Sequence, residues 1–261
     1  MIEVDKHYDD PPGVPGFFGD HQIPYAFKDP DERKKGKEEP EGITNDKVAS
    51  MKSRILDFEK VLYGTDFKDP ENGWQKYLDL DSAVGYYLVK EYTKENDGDF
   101  YRSTFFHTAD YTDTSSKFFM GPVWDFDRSA GAKPEIAEGA TTTVARPTGW
   151  WLRGNSSPNH STSKTHWYVQ LSKDPVFIEA VKKRWAEKRG FFKDIADNGV
   201  DRMAKGVRTA ADNDRRLLGD IDTSYLDAKR LKARSTTFAG EIAFLKDWYQ
   251  KRFAWMDSKL S

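Results

Sequence analysis

The sequence predicts an α+β fold that is mainly helical and carries one short antiparallel hairpin. Several long segments repeat apolar residues at steps of three and four, which is the spacing of an amphipathic helix. Two β-prone runs, at 104–108 and 117–121, flank a polar stretch of the kind that forms a hairpin turn. The second run leads into Asp125 and Asp127. We therefore expect helices around a hairpin that carries an acidic site.

Composition restricts the class of protein. Of the 261 residues, 37% are hydrophobic and 14% aromatic, which favours a folded chain although 32% are charged. A net charge of −2 provides no overall field for nucleic acid, so we expect no nucleic-acid partner. The absence of cysteine excludes disulfides, thiolate zinc sites and cysteine nucleophiles. No run is long enough for a membrane span and no signal peptide is present, while a secreted or cell-surface parent protein stays compatible with the sequence.

The domain organisation follows from shifts in composition along the chain. We expect a single domain over 1–261. Proline and a block of charges predict an irregular, extended leader over 8–45. Residues 46–127 then hold helices and the hairpin with its acidic site, residues 128–172 form a long ordered loop, and residues 173–261 form the C-terminal helices.

Capping residues predict where the first two helices begin. Asn45 or Asp46 can cap the first, whose apolar stripe stops at Gly64. Asp79 or Asp81 can cap the second, which ends near a loop that contains further acids. Glu91 shares the apolar side of that second helix, which it occupies together with Val84, Tyr87 and Leu88.

Three further helices are expected in the C-terminal part. The pair Asp174-Pro175 is a strong start signal, and the apolar stripe after it predicts a helix through Arg189. The next helix should run from about 199 to 218 and the last from about 236 to 260. The basic residues of the 174–189 helix more often form a solvated face than a nucleic-acid site.

Phosphoryl transfer is the chemistry that two separated acid sites would suit. This reaction needs metal ions on the phosphates and an acid that orients the acceptor hydroxyl. Mg²⁺ prefers carboxylate oxygen and takes one or two protein carboxylates. Asp125 would be the metal ligand, Asp127 a second metal ligand, and Asp97, in the loop after the second helix, the base. From the pattern alone, the alternative that these acids only form turns stays open.

Other motifs give weaker signals. The five histidines lack the paired spacing of a zinc site, and no GxSxG elbow or GxxxxGK[ST] phosphate loop is present. The pair Trp150-Trp151 could stack on the faces of a sugar, or it could anchor the long loop to the core.

A set of motifs along the chain occurs in a characteristic order. These are Leu78-Asp79-Leu80-Asp81-Ser82, Glu91, Asn96-Asp97-Gly98, Arg102-Ser103-Thr104, Gly121 to Asp127, Gly131, Trp150-Trp151-Leu152, Asp174-Pro175-Val176-Phe177 and Arg184-Trp185. The set resembles that of the CotH kinase family, which contains bacterial spore-coat protein kinases and many secreted relatives. The resemblance extends over roughly residues 1–255, and the order is more specific than any single motif.

The resemblance implies an atypical protein-kinase-like fold that uses Mg²⁺ and ATP. Its reaction would transfer the γ-phosphoryl group to a serine or threonine of a protein substrate. Asp97 corresponds to the catalytic acid and Asp125 to the metal-binding acid, with Asp127 beside it. Ser103 falls near a column where some members have asparagine as second metal ligand, and serine is a weaker ligand.

The resemblance also implies a nucleotide-binding small lobe upstream of the matched region. Residues 2–5 look like the end of that lobe, so we expect the chain to be the large lobe, truncated at its N-terminus. By itself it should bind ATP weakly and be a weak or inactive kinase, and kinase activity would require the small lobe. A noncatalytic module for surface or coat assembly, which would hold a protein or glycan partner on a kinase-like scaffold, is the alternative. The sequence gives no indication of the oligomeric state.

Overall fold

Helices and one antiparallel sheet make up the computed structural model, which confirms the predicted α+β class. It describes residues 1–5, 16–19, 21–28, 45–95, 100–131, 146–154, 165–219, 235 and 237–261. The chain folds into two compact units: residues 1–89, 97–125 and 157–180 form the first, and residues 90–96, 126–156 and 181–261 form the second. No helix in the described ranges is both long and apolar enough to cross a membrane.

The sheet belongs to the first unit and has five strands in the order β2-β3-β1-β4-β5. The strands are β1 (Ile2–Val4), β2 (Gly16–Phe18), β3 (Pro24–Phe27), β4 (Thr104–Thr108) and β5 (Phe118–Met120). Strands β4 and β5 pair antiparallel with Phe106 opposite Met120, which confirms the predicted hairpin. The short β1 is buried along its whole length because it lies between β3 and β4.

Two strands correct the prediction of an irregular leader over 8–45. Strand β3 is fully buried and pairs with β1, while β2 pairs with the other edge of β3. Runs this short carry little local signal, and their stability comes from ladder partners elsewhere in the chain. The remainder of the leader lies outside the described residues.

The first two predicted helices are confirmed. Helix α1 spans Asn45–Leu62, and helix α2 spans Leu80–Thr93. The Oδ1 atom of Asp79 accepts a 2.8 Å hydrogen bond from the backbone N–H of Ser82, so Asp79 is the cap of α2. The core around them is aromatic: the Trp167 ring lies 4.7 Å from Phe58 and 5.0 Å from Phe106.

A short helix, α3 (Trp167–Leu171), and a 3₁₀ turn at Leu152–Gly154 correct the prediction that 128–172 is loop alone. Trp151 and Trp167 are buried, and burial of a large ring fixes the neighbouring backbone despite the weak periodicity. Much of that segment lies outside the described residues.

The C-terminal helices are α4 (Pro175–Asp194), α5 (Val200–Leu218) and α6 (Phe238–Leu260). The predicted start of α4 is confirmed by Asp174, whose carboxylate accepts from the Val176 N–H at 3.0 Å. The helix continues past the expected end at Arg189 and joins α5 through a π-helical turn at Ile195–Gly199. Thr237 caps α6 by accepting from the Gly240 N–H at 3.1 Å.

Candidate functional site

The stretch after β5 carries two of the predicted site residues. Asp125 ends one segment of the first unit, and Asp127 lies in the following segment, which belongs to the second. Both side chains are exposed. Neither carboxylate forms a hydrogen bond or an ion pair with any residue in the described part of the chain. As far as the described residues are concerned, both therefore keep their oxygen lone pairs available for a cation.

Interactions within the first unit hold the chain that leads to Asp125. The Gly121 N–H donates to the Phe105 carbonyl at 2.8 Å, and Gly121 has φ +118°, a value that a residue with a Cβ rarely adopts. The Trp124 ring packs edge-on against Phe105 at 6.1 Å. These interactions tie the start of the acidic stretch to β4.

The other two predicted site residues are Asp97 and Ser103. Asp97 lies outside the described residues. Ser103 is half-buried in the turn before β4. In the described ranges, no group of three or more His, Asp or Glu side chains is arranged so that it could hold a metal ion. The assignment of Asp97, Ser103, Asp125 and Asp127 to one site therefore stays a prediction.

Left-handed backbone conformations concentrate in the segments that flank Asp97 and Asp125. The non-glycine residues with positive φ in this part of the chain are Lys94, Phe100, Ser103, Asp125 and Ala130, with φ between 48° and 77°. Such conformations are costly for residues with a Cβ and persist where surrounding structure or function requires them. Gln22 is the remaining example among the described residues.

A set of charged side chains is buried at the C-terminal end of α2, within the second unit. Lys90, Glu91, Lys94 and Glu95 all have no exposed surface. The Lys90 Nζ atom lies 3.4 Å from Glu95 Oε2 and 4.9 Å from the centre of the Phe126 ring. Charged groups buried this deeply are stable only when opposite charges or hydrogen-bonding groups lie close to them.

Glu91 connects α2 to two other parts of the second unit. Its carboxylate accepts from the backbone N–H groups of Trp151 at 2.7 Å and Arg153 at 3.2 Å. The guanidinium of Arg252, on α6, also donates to this carboxylate, at 3.2 Å. Glu91 therefore fixes the backbone around the 3₁₀ turn.

Lys94 follows the last helical turn and donates to two carbonyls, Arg146 O at 3.0 Å and Thr148 O at 2.7 Å. Burial, and to a smaller extent the positive charge of Arg252, lowers the pKa of Lys94 to about 7, against the opposing effect of Glu91. The ammonium group is thus held where its charge is poorly solvated.

Sequence reasoning placed one of these residues on the apolar side of α2, but it predicted the burial of none of them. Glu91 shares the apolar side of α2, and this position is the signal that could have indicated its burial. Lys90, Lys94 and Glu95 have no such signal, because charged residues near a helix end are usually solvated.

The tryptophan pair acts as an anchor in the second unit. Trp151 is buried, and its Nε1 atom donates to the Glu95 carbonyl at 2.8 Å. Trp150 packs edge-on against Trp255 at 4.8 Å. A flat platform made of both rings is therefore not available to a sugar, and the anchoring alternative is the one that the packing supports.

Comparison with known proteins agrees with the resemblance seen in the motifs. The model of the family described as CotH kinase protein matches residues 6–256. No curated protein and no solved structure gave a match. The family match covers nearly the whole chain, including Asp97, Ser103, Asp125 and Asp127, and supports a kinase-like protein in general. The chain belongs to the CotH kinase family.

Proposed function

We propose that this chain carries the metal ligands and the catalytic base of an atypical protein kinase, which transfers the γ-phosphoryl group of ATP to serine or threonine of a protein. The observation that carries the proposal is the pair of exposed carboxylates, Asp125 and Asp127, which have no partner in the described residues. Acids placed for structural reasons in a turn usually accept local hydrogen bonds, as Asp110 and Asp113 do in the hairpin turn.

The donor set fits Mg²⁺. This ion is usually held by one or two carboxylates, with water and substrate phosphates at its other positions, so a cluster of three acids is not required. Asp125 would be the principal ligand and Asp127 a second one, while the hydroxyl of Ser103 would be a weaker ligand. Bound Mg²⁺ would neutralise charge on the phosphate oxygens of ATP.

The chain's own residues would then direct the acceptor. Asp97 would accept the proton of the substrate hydroxyl while the oxygen of that hydroxyl forms a bond to the γ-phosphorus of ATP. The bond between that phosphorus and the bridging oxygen breaks at the same centre, and ADP leaves with the electron pair. Asp125 has a left-handed backbone conformation, with φ +58°. Conformations of this kind persist where the surrounding structure or the function requires them, which supports a functional role for Asp125.

The test compares Asp125→Asn with the wild-type chain in two assays. One follows transfer of labelled phosphate from Mg-ATP to a serine-rich protein, and the other titrates Mn²⁺, a spectroscopic substitute for Mg²⁺, by electron paramagnetic resonance. We expect the variant to lose about 10-fold in Mn²⁺ affinity, because a ligand is removed, and at least about 100-fold of whatever transfer rate the wild-type chain shows. Circular dichroism should show the same folded content.

Asp113→Asn is the matched control, because Asp113 is an exposed acid in the turn of the same hairpin and asparagine can form the same turn. This variant should keep wild-type transfer and Mn²⁺ affinity. Undiminished transfer and affinity in Asp125→Asn would remove Asp125 from the site. A wild-type chain that shows neither activity nor metal binding would instead favour the noncatalytic module.

A further inference from the structure

Lys90 and Glu95 form an ion pair in a place where an apolar pair would be easier to accommodate. Both side chains have no exposed surface, and Nζ lies 3.4 Å from Oε2. A buried pair gives up the hydration of both ions, and well-packed apolar residues of similar size often stabilise a fold at least as well. The pair therefore calls for a reason other than stability alone.

The interaction with Phe126 indicates what that reason is. The Lys90 ammonium lies 4.9 Å from the centre of the Phe126 ring, within the range of a cation–π interaction. Phe126 precedes Asp127, the second candidate metal ligand. A change in the position of the ring would be transmitted to the backbone of Asp127 directly.

The segment from Phe126 to Ala130 has a second attachment to the same helix end. The Ala130 N–H donates to the Thr93 carbonyl at 2.7 Å. On another side, the segment lines a cleft of about 700 Å³ that α5 and α6 also line in the second unit. Tyr249 of α6 also interacts with the side chain of Ser129, so the attachments to the end of α2 act together with an attachment to α6 in fixing the segment.

We infer that Lys90, neutralised by Glu95, is a positioning residue that holds Phe126 and thereby orients the Asp127 carboxylate for metal. The inference rests on the proposed function, since it gives Asp127 a role in metal binding. Lys90 acts through Phe126 and touches no reacting atom. Its positive charge is needed because the face of an aromatic ring attracts a cation, whereas an apolar side chain would hold the ring without this orientation.

The test removes both charges together. In Lys90→Met/Glu95→Gln both members of the pair lose their charge, which avoids the unfolding expected when one member stays charged and the other is removed. Two readouts are used, hydrogen exchange of the backbone amides of 126–130 and Mn²⁺ affinity by electron paramagnetic resonance. We expect exchange to accelerate at least about 10-fold and Mn²⁺ affinity to fall about 10-fold, which is typical when the support of a metal ligand is lost.

Two controls separate positioning from general stability. Lys90→Arg retains a cation that can reach both Glu95 and the ring, and it should keep most of the Mn²⁺ affinity. Lys76→Met removes an exposed lysine that lies 6.0 Å from the Tyr77 ring, and it should change neither readout.

The outcomes are distinct from those of the Asp125 experiment. If the double variant keeps wild-type exchange at 126–130, or if exchange rises while Mn²⁺ affinity stays constant, Lys90 does not position the ligand and the inference is overturned. The proposed function would then still stand on the Asp125→Asn result. If the wild-type chain binds no Mn²⁺, the proposed function fails, and this inference fails with it.

Discussion

The guanidinium of Arg252 donates to both acceptor groups of Glu91, across a sequence separation of 161 residues. Its Nε donates to the backbone carbonyl at 2.9 Å, and its Nη2 donates to the same carbonyl and, at 3.2 Å, to the carboxylate. Arg252 also donates to the carbonyls of Pro147 at 3.1 Å and Gly149 at 2.7 Å. One side chain of α6 thus satisfies acceptors on α2 and on the segment before the tryptophan pair. This network is the central polar feature of the second unit.

Arg252→Met should lower the free energy of unfolding by about 3–5 kcal/mol, because it leaves the Glu91 carboxylate buried without its charged partner. Urea denaturation followed by fluorescence measures the change. Lys251→Met is the control, since this neighbouring lysine forms an exposed pair with Asp247 and should leave stability nearly unchanged. Equal effects of the two substitutions would contradict a structural role for the Arg252 network.

Lys94 makes stability depend on pH in the alkaline range. Its pKa is about 7 in the fold and near 10.5 when the chain is unfolded. Between these values the unfolded chain binds the proton and the folded chain does not, so stability rises with pH, by up to about 1.4 kcal/mol per unit. Urea unfolding of wild type and Lys94→Met at pH 7 to 10 should show that the free energy of unfolding rises more steeply with pH in the wild type than in the variant. An equal dependence on pH in the two proteins would contradict the lowered pKa.

His166 makes the stability of the fold depend on pH in the acid range. Burial lowers its pKa to about 3, and its Nδ1 atom has no hydrogen-bond partner among the described residues. Below pH 6.5 the unfolded chain takes up a proton that the folded chain does not bind, so stability is lost progressively as the pH falls from 6.5 towards 3.

His166→Phe should reduce this acid sensitivity while it keeps the ring that stacks on Phe100 at 4.9 Å. Thermal unfolding at about pH 7.5 and about pH 4.5 gives the comparison, and the difference between the two pH values should be smaller in the variant. An unchanged difference would show that His166 titrates normally in the fold.

Asp174 joins the start of α4 to the core of the first unit. Its Oδ2 atom accepts from Trp74 Nε1 at 2.7 Å, and its Oδ1 accepts from the Val176 N–H at 3.0 Å. Asp174→Ala should cost about 2–4 kcal/mol, because the cap is lost and a buried indole N–H is left without an acceptor. Asp174→Asn keeps one acceptor and should cost less. A double-mutant cycle with Trp74→Phe should give a coupling of about 1–3 kcal/mol, and additive effects would contradict the hydrogen bond.

Local signals predicted the helices, but they could not predict the whole sheet. Helices α1, α5 and α6 follow from apolar residues at helical spacing, and α2 and α4 from caps that the structure confirms at Asp79 and Asp174. Strands β2 and β3 were missed because their hydrogen bonds go to partners that are distant in sequence or equally short. Pairing of this kind is a property of the fold, and short runs do not encode it.

The sequence by itself determined the family, through the order of its motifs, and it determined the helices and the hairpin that leads to Asp125, because these depend on neighbours within a few residues. Only the tertiary structure decided which charges are buried. Lys94 and Arg252 are ordinary surface residues by type, and they lie inside the second unit because acceptors from distant segments surround them. Burial of a charge depends on partners that the chain brings together only when it folds.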